Sequence, residues 1–443
     1  MSSPALLSPA VSRDAFLALP LAEQYRAVRS FTETLTEPLA TEDYVVQSHA
    51  DVSPTKWHLA HTTWFWETFV LAEHLDGYAL YDARYPFLFN SYYVQAGERH
   101  CRAQRGYLSR PTVAEVFAFR AHVDEAMQRL LEGMPGDVKS PLAEVVRVGL
   151  NHEQQHQELM VTDIKHVFSV NPLRPAYRSG DAYAAAPDPG PIRWVAFDEG
   201  LHEVGYLPER DGPFTFDNET PRHRVFVEQF ALADRLVTCG EYLAFMEDGG
   251  YARAPLWLSE GFATVQEHGW SEPFYWEQRD GAWWHFTLSG MRPVDPNEPL
   301  AHISYFEADA YARWAGLRLP TEFEWEVASE GVPMTGNFAE DGPLHPTPPE
   351  RVAGGDGAPT PPRLRQLFGD VWEWTRSQYS PYPGYQPLPG ALGEYNGKFM
   401  SNQFVLRGGS CATSPTHIRP TYRNFFPADA TWQFTGIRLA RDL

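Results

Sequence analysis

The chain has 443 residues, a formal net charge of −21 and 43% hydrophobic residues, with 14 Trp among them. That length predicts two domains, and the acidity argues against nucleic acid and anionic membranes, whose phosphates demand a basic face. Three scattered cysteines (Cys101, Cys239, Cys411), no secretory leader and no apolar membrane-length run predict a cytoplasmic protein without a disulfide framework or a CxxC metal knuckle.

The first ~175 residues read as helix. In LAEQYRAVRSFTETL, Tyr25, Val28, Phe31 and Leu35 recur at steps of three and four, an amphipathic stripe. A second helix is expected to open at Ser53-Pro54, an N-cap followed by proline, and to stop near Gly77. A third opens at Thr112, where Glu115 completes a capping box. The fourth runs from near Pro141 to before Pro172. Four helices, with one long connection over about 78–111, predict a four-helix bundle. The stretch AAAPDPGPIRW (184–194) reads as a linker. Beyond it, short segments rich in Trp, Gly and Pro predict an irregular, loop-rich α+β domain, with helical periodicity clear only in YFEADAYARWAG and a Pro-rich tract at 342–362.

The stretch NHEQQHQELM (151–160) carries the first chemistry. His152 and His156 are four apart, so on a helix they share one face and can clamp one metal. A neighbouring bundle helix can complete such a centre, and WHLAH offers His58 or His61. Spacing does not choose between them. HEQQH also fits the HExxH pattern, in which Glu153 would be the base of a zinc hydrolase. Glu153 and Gln155 flank the histidine pair on opposite sides, at ~100° per residue, so geometry alone leaves open which faces a substrate. The downstream HxxGxxH of a metzincin is absent, because residues 157–166 read QELMVTDIKH.

WHLAH followed by NHEQQH resembles the DinB-like domain of iron-dependent sulfoxide synthases. Downstream, RLPTEFEWEVA (318–328), FGDVWEWTRS (368–377), LRGGS (406–410) and GIRLA (436–440) resemble the formylglycine-generating-enzyme fold, which is related to C-type lectins. In this order the two halves look like the ergothioneine-biosynthesis sulfoxide synthase family. The resemblance implies a DinB-like helical domain over 10–183 and a formylglycine-generating-enzyme-like domain over 191–443. It implies Fe(II) on His61, His152 and His156, and oxygen-dependent joining of a thiol to hercynine (trimethylhistidine) to give a sulfoxide. Only Cys411 remains where formylglycine-generating enzymes carry a cysteine pair, so the second domain is expected to wall the site and bind substrate. The absence of a methyltransferase domain after Leu443 favours the ergothioneine branch over ovothiol synthesis.

In GERHCRAQRGYLSR, Arg99, Arg102 and Arg105 form a local basic island suited to carboxylates. The resemblance assigns Arg102 and Arg105 to the thiol substrate, and Gln155 and Asn424 to hercynine. Phe425 and Phe426 offer aromatic faces for its quaternary ammonium. Members that use γ-glutamylcysteine resemble NWD where this chain reads NFF, so Phe426 predicts free cysteine. A tyrosine is expected as proton donor, with adjacent Tyr92 and Tyr93 preferred over Tyr379 and Tyr382. Cys101 is expected to be a small buried hydrophobe. Two rivals stand beside this reading, a zinc hydrolase using Glu153 and a non-catalytic lectin-like binding protein.

Overall fold

A computed structural model describes residues 12–179, 185–349 and 363–443. Residues 10–11 and 180–183 of the expected helical domain, residue 184 of the linker and residues 350–362 of the Pro-rich tract lie outside the described residues. The chain divides into two compact units. The first holds the residues up to Arg178 together with Pro208–Asp217 and Gln386–Lys398, and the second holds the remainder.

The first unit is built on four helices: α1 (Leu21–Thr34), α2 (Thr55–Trp66), α3 (Val113–Leu131) and α4 (Pro141–Val170). Thr112 and Glu115 form the expected capping box of α3, and the Ser140 side chain caps α4 ahead of Pro141. On α1, Tyr25, Val28 and Leu35 are buried as the stripe predicts, while Phe31 is half-buried. The N-cap of α2 is Pro54 rather than Ser53. Its helical course runs on through a π-turn, Glu67–Leu71, and a last turn, Ala72–His74. The following reversal is held by Glu67, whose Oε1 accepts from the Tyr78 hydroxyl at 2.9 Å and the Tyr81 backbone N–H at 2.8 Å.

Every residue of α2 is buried, so its polar groups must find partners inside the protein. Lys56 donates from Nζ to the carbonyls of Leu108 (2.6 Å) and Pro111 (2.8 Å) and so pins the end of the long connection. That connection contains a short helix, Tyr85–Phe89, and a 3-10 turn, Arg102–Tyr107. Cys101, expected in the interior, is exposed just before that turn.

Among the described residues the second unit contains four small sheets. In chain order the strands are β1 (Trp194–Phe197), β2 (Gly200–Val204), β3 (His223–Val227), β4 (Phe230–Ala233), β5 (Trp276–Arg279), β6 (Ala282–Thr287), β7 (Gly290–Pro293), β8 (Trp372–Gln378), β9 (Gln403–Arg407), β10 (Asn424–Pro427), β11 (Thr435–Gly436) and β12 (Ala440–Asp442). The sheets order as β1-β4-β12, β10-β9-β8-β11, β2-β3 and β5-β6-β7, and β11 pairs with β8 in parallel.

The motifs read from the sequence meet here as buried ion pairs. Arg438 of GIRLA clasps Glu373 of the VWEW stretch at 2.7–2.9 Å, and Trp325 of EFEWE donates to the same carboxylate at 2.7 Å. Arg407 of LRGGS reaches Glu322 (2.9 Å) and Glu326 (3.1 Å), and Arg423 pairs with Glu322 at 2.8 Å. A buried charge must be paired and hydrogen-bonded, which is why these residue types recur together.

In the first unit, Gly149 allows α4 to press against α2. A Cβ built there would lie 2.5 Å from the fully buried indole of Trp66. Helix propensity alone favours alanine by about 1 kcal/mol, whereas overpacking costs about 1–3 kcal/mol. We expect Gly149→Ala to lower the urea midpoint, and a rise would show that the helices can separate freely.

Candidate metal centre

Three imidazoles converge in the interior of the first unit. His61 comes from α2, and His152 and His156 come from one face of α4. One ring nitrogen of each lies within 4.8 Å of those of the other two. His61 Nδ1 donates to the Phe89 carbonyl at 2.6 Å. That bond fixes its tautomer and leaves the Nε2 lone pair 3.1 Å from His152 Nε2. His152 Nδ1 is buried with no hydrogen-bond partner, so the place between the two Nε2 atoms takes either the His152 proton or a cation. Burial holds all three rings well below the usual imidazole pKa, His152 at about 3, so they are neutral ligands at pH 7. A neutral, buried, all-nitrogen donor set fits a divalent transition metal.

His58 is not among the three. It stands behind His156, with Nδ1 of one ring 2.8 Å from Nδ1 of the other, and its Nε2 lies 2.9 Å from Asp163 Oδ2. Trp57 stacks on His61, with ring centroids 4.5 Å apart and an angle of 12°, and the Arg105 guanidinium lies 3.3 Å from an indole ring centroid of the same Trp57. Arg105 is buried, donates to the hydroxyls of Ser53 (2.9 Å) and Ser91 (3.0 Å), and has no hydrogen-bond partner at Nε. Burial, aided by nearby Arg102, pulls its pKa down to about 9. A guanidinium held this way, with hydroxyls for partners, is suited to an incoming anion. Arg102 is exposed and donates to the Asp51 carbonyl at 2.6 Å.

Glu153 turns away from the histidines. Its Oε2 accepts from Arg29 (3.0 Å) and the Trp66 indole (2.8 Å), and its Oε1 from Thr32 (2.8 Å) and Arg120 (3.4 Å). Burial opposes ionisation, but Arg29 and Arg120 outweigh it and hold the carboxyl at about 2. A fully paired anion of that pKa is a poor general base, so the zinc-hydrolase reading loses its base. Gln155 is half-buried on the same helix.

A third tyrosine joins the two expected from the sequence. Tyr395, which sequence reasoning missed, belongs to the first unit through the segment Gln386–Lys398. Its ring lies 5.8 Å from that of His152 and 5.8 Å from that of Tyr92. Tyr92 and Tyr93 both have pKa values raised well above 10 by burial. Tyr92 hydrogen-bonds to Tyr93 on one side and to Tyr395 on the other. The segment is strapped to the Tyr92 loop by Glu394, which accepts from the backbone N–H of Val94 (2.6 Å) and Gln95 (3.0 Å), and by Lys398, which donates to the Tyr92 carbonyl. Nothing in the sequence around GEYNGKF announces this placement.

Tyr379 and Tyr382 are buried in the second unit, where Tyr379 accepts from Asn218 at 2.9 Å and Tyr382 donates to Glu322 at 3.3 Å. Asn424, Phe425 and Phe426 are half-buried on β10. Phe425 stacks on Tyr379 at 4.1 Å, and Phe426 meets Trp432 edge-on at 6.0 Å. A second potential metal group there, His285, Glu298 and His345, already has a cation. Arg292 Nη2 donates to Glu298 Oε2 at 2.5 Å and to His345.

The DinB superfamily model matches residues 24–160, and the sulfatase-modifying factor enzyme 1-like domain matches residues 194–443. A hercynine oxygenase of Mycolicibacterium thermoresistibile is 33% identical, with 88% of each chain covered. One from Mycobacterium tuberculosis is 32% identical over 78% of this chain and 81% of its own. The chain belongs to the hercynine oxygenase family. It is therefore an oxygen-dependent oxidoreductase, built from a DinB-like helical region and a formylglycine-generating-enzyme-like domain. A formylglycine-generating enzyme of Streptomyces coelicolor is 29% identical over 58% of this chain and 94% of its own, consistent with the second half of that plan. In this hercynine oxygenase relative, no helix among the described residues is long and apolar enough to cross a membrane.

The Glu153 network predicts a pH signature. The folded carboxyl is depressed from 4.5 to about 2, so its contribution is complete above pH 4.5 and is lost as the pH falls through about 2. Glu153→Gln strands two buried guanidinium groups and is expected to cost about 3–5 kcal/mol at pH 7. The variant's stability should also fall less steeply than the wild type's on acidification from pH 4.5. Equal slopes would place the folded carboxyl near its ordinary value.

Proposed function

We propose that this chain is an iron(II)-dependent sulfoxide synthase that joins the sulfur of cysteine to the imidazole of hercynine in ergothioneine biosynthesis. The observation that carries the reading is the group of three neutral imidazoles with converging ring nitrogens, separated by the single ring of Trp57 from a buried, anion-seeking Arg105. Iron(II) held by His61, His152 and His156 would supply redox chemistry and leave positions for a soft sulfur ligand. The reaction breaks one imidazole C–H and one S–H bond and forms a C–S bond and an S=O bond. One oxygen atom of O2 enters the sulfoxide and the other leaves as water with the two hydrogens.

Each protein group has a definite task in this reading. Arg105, with Arg102 beside it, holds the carboxylate of the thiol substrate through charge-assisted hydrogen bonds. Gln155 and Asn424 offer amides to hercynine, and Phe425 and Phe426 offer ring faces to its trimethylammonium. Tyr395 is the proton donor, because its ring approaches His152 directly while Tyr92 relays to Tyr93 behind it. Phe426 favours free cysteine, since a phenyl ring cannot pair with the ammonium of a glutamyl group.

The test is oxygen uptake by protein loaded anaerobically with iron(II), given hercynine and either cysteine or γ-glutamylcysteine. Uptake with a sulfoxide product, faster with cysteine, is the expected result. Faster turnover of γ-glutamylcysteine would overturn the assignment of Phe426, and no uptake with either thiol in iron-loaded protein would overturn the reading itself. A positioned acid contributes about 10²–10⁴-fold, so Tyr395→Phe should slow sulfoxide formation by about 10²-fold or more, with Tyr92→Phe less affected. Equal losses in both would return the role to the pair.

A further inference from the structure

Behind the histidine centre lies a line of hydrogen bonds that neither the family resemblance nor the proposed reaction uses. Asp163 sits on α4 two turns beyond His156. Its Oδ2 receives the backbone N–H of Ser53 at 2.8 Å and lies 2.9 Å from His58 Nε2. His58 Nδ1 in turn lies 2.8 Å from His156 Nδ1. All three side chains are buried.

The proton positions follow from what each group can do. A carboxylate only accepts, so His58 Nε2 carries a hydrogen and donates it to Asp163. The neutral His58 ring then offers a lone pair at Nδ1. His156 must donate to that lone pair from its own Nδ1, which leaves His156 Nε2 as a lone pair for a metal. The chain of bonds thus selects the one neutral tautomer of His156 that ligates through Nε2, and holds the ring's rotation as well. His61 obtains the same result from the Phe89 carbonyl. His156 has a second imidazole and a carboxylate for the purpose.

We propose that His58 and Asp163 are positioning residues that fix the tautomer and orientation of His156 for metal binding. The proposal rests on the three-histidine reading of the centre and adds two residues to it. Ser53 strengthens the arrangement from both ends, because its backbone anchors Asp163 while its hydroxyl receives Arg105 at 2.9 Å. The group that fixes the metal ligand and the group that awaits the substrate anion therefore share one anchor.

The experiment is anaerobic titration of the metal-free full-length protein with iron(II) against a competing chelator, with circular dichroism to confirm folding. Loss of an outer hydrogen-bond partner of a metal-bound histidine typically weakens affinity by about 10–100-fold, and that is the loss expected for His58→Leu. His58→Asn places an amide oxygen close to the lost Nδ1 lone pair and should recover most of the affinity, which a purely space-filling role would not predict. Asp163→Asn keeps an acceptor and should lie between the two. Unchanged iron affinity in His58→Leu, or failure of His58→Asn to improve on it, would overturn the proposal. Undiminished iron binding in His61→Ala would instead overturn the three-histidine centre, so the two failures are distinguishable. Cobalt(II) substituted into His58→Leu adds a spectroscopic readout, since a displaced imidazole changes the visible absorption of the ion.

Discussion

One buried carboxylate sets the geometry of the first unit. Glu153 lies beside His152 in the sequence, and its two oxygens receive groups from α1 (Arg29, Thr32), α2 (Trp66) and α3 (Arg120). An ionised group at zero exposure is tolerated only when its partners are fully engaged, so α4 has a single rotation that satisfies it. That rotation turns His152 and His156 toward α2 and His61. The most polar face of α4 is thus what aims its metal-binding face, and Gly149, one turn earlier, lets the helices close to the distance this requires.

The network also explains why an HExxH pattern here does not signify hydrolysis. The pattern needs its glutamate beside a metal-bound water with an accessible lone pair. Here the two guanidinium groups and the indole take those lone pairs. The same pattern describes opposite electrostatics, and the difference comes from Arg29 and Arg120, far away in sequence.

Much of this was legible in the chain. The helical pattern with its caps marked the four bundle helices closely, because Thr112, Glu115 and Pro141 act through local chemistry. In the second unit the capping boxes Thr238/Glu241 and Thr321/Glu324 were equally local, yet their helices are short and periodicity over so few residues is faint. The histidine trio could be narrowed to two ligands by spacing, while the choice of His61 over His58 came from resemblance. The structure gives the reason: His58 has a carboxylate partner at its far nitrogen and His61 has a carbonyl. What could not be read was Tyr395, because its place beside His152 depends on a segment, Gln386–Lys398, that returns to the first unit more than 200 residues later in the chain. Cys101 was misplaced for a related reason, since its surroundings are set by a connection whose course Lys56 fixes.

That return has an evolutionary consequence. The helical unit is completed by two segments, Pro208–Asp217 and Gln386–Lys398, that lie beyond the linker in the chain. Phe216 from the first stacks on Tyr395 from the second at 5.3 Å, and Asp217 accepts from Asn396 at 2.8 Å. A recombination event cutting at the linker near residue 190 would therefore separate a bundle from its own tyrosine. The two halves therefore cannot be exchanged as independent cassettes by a cut at that linker.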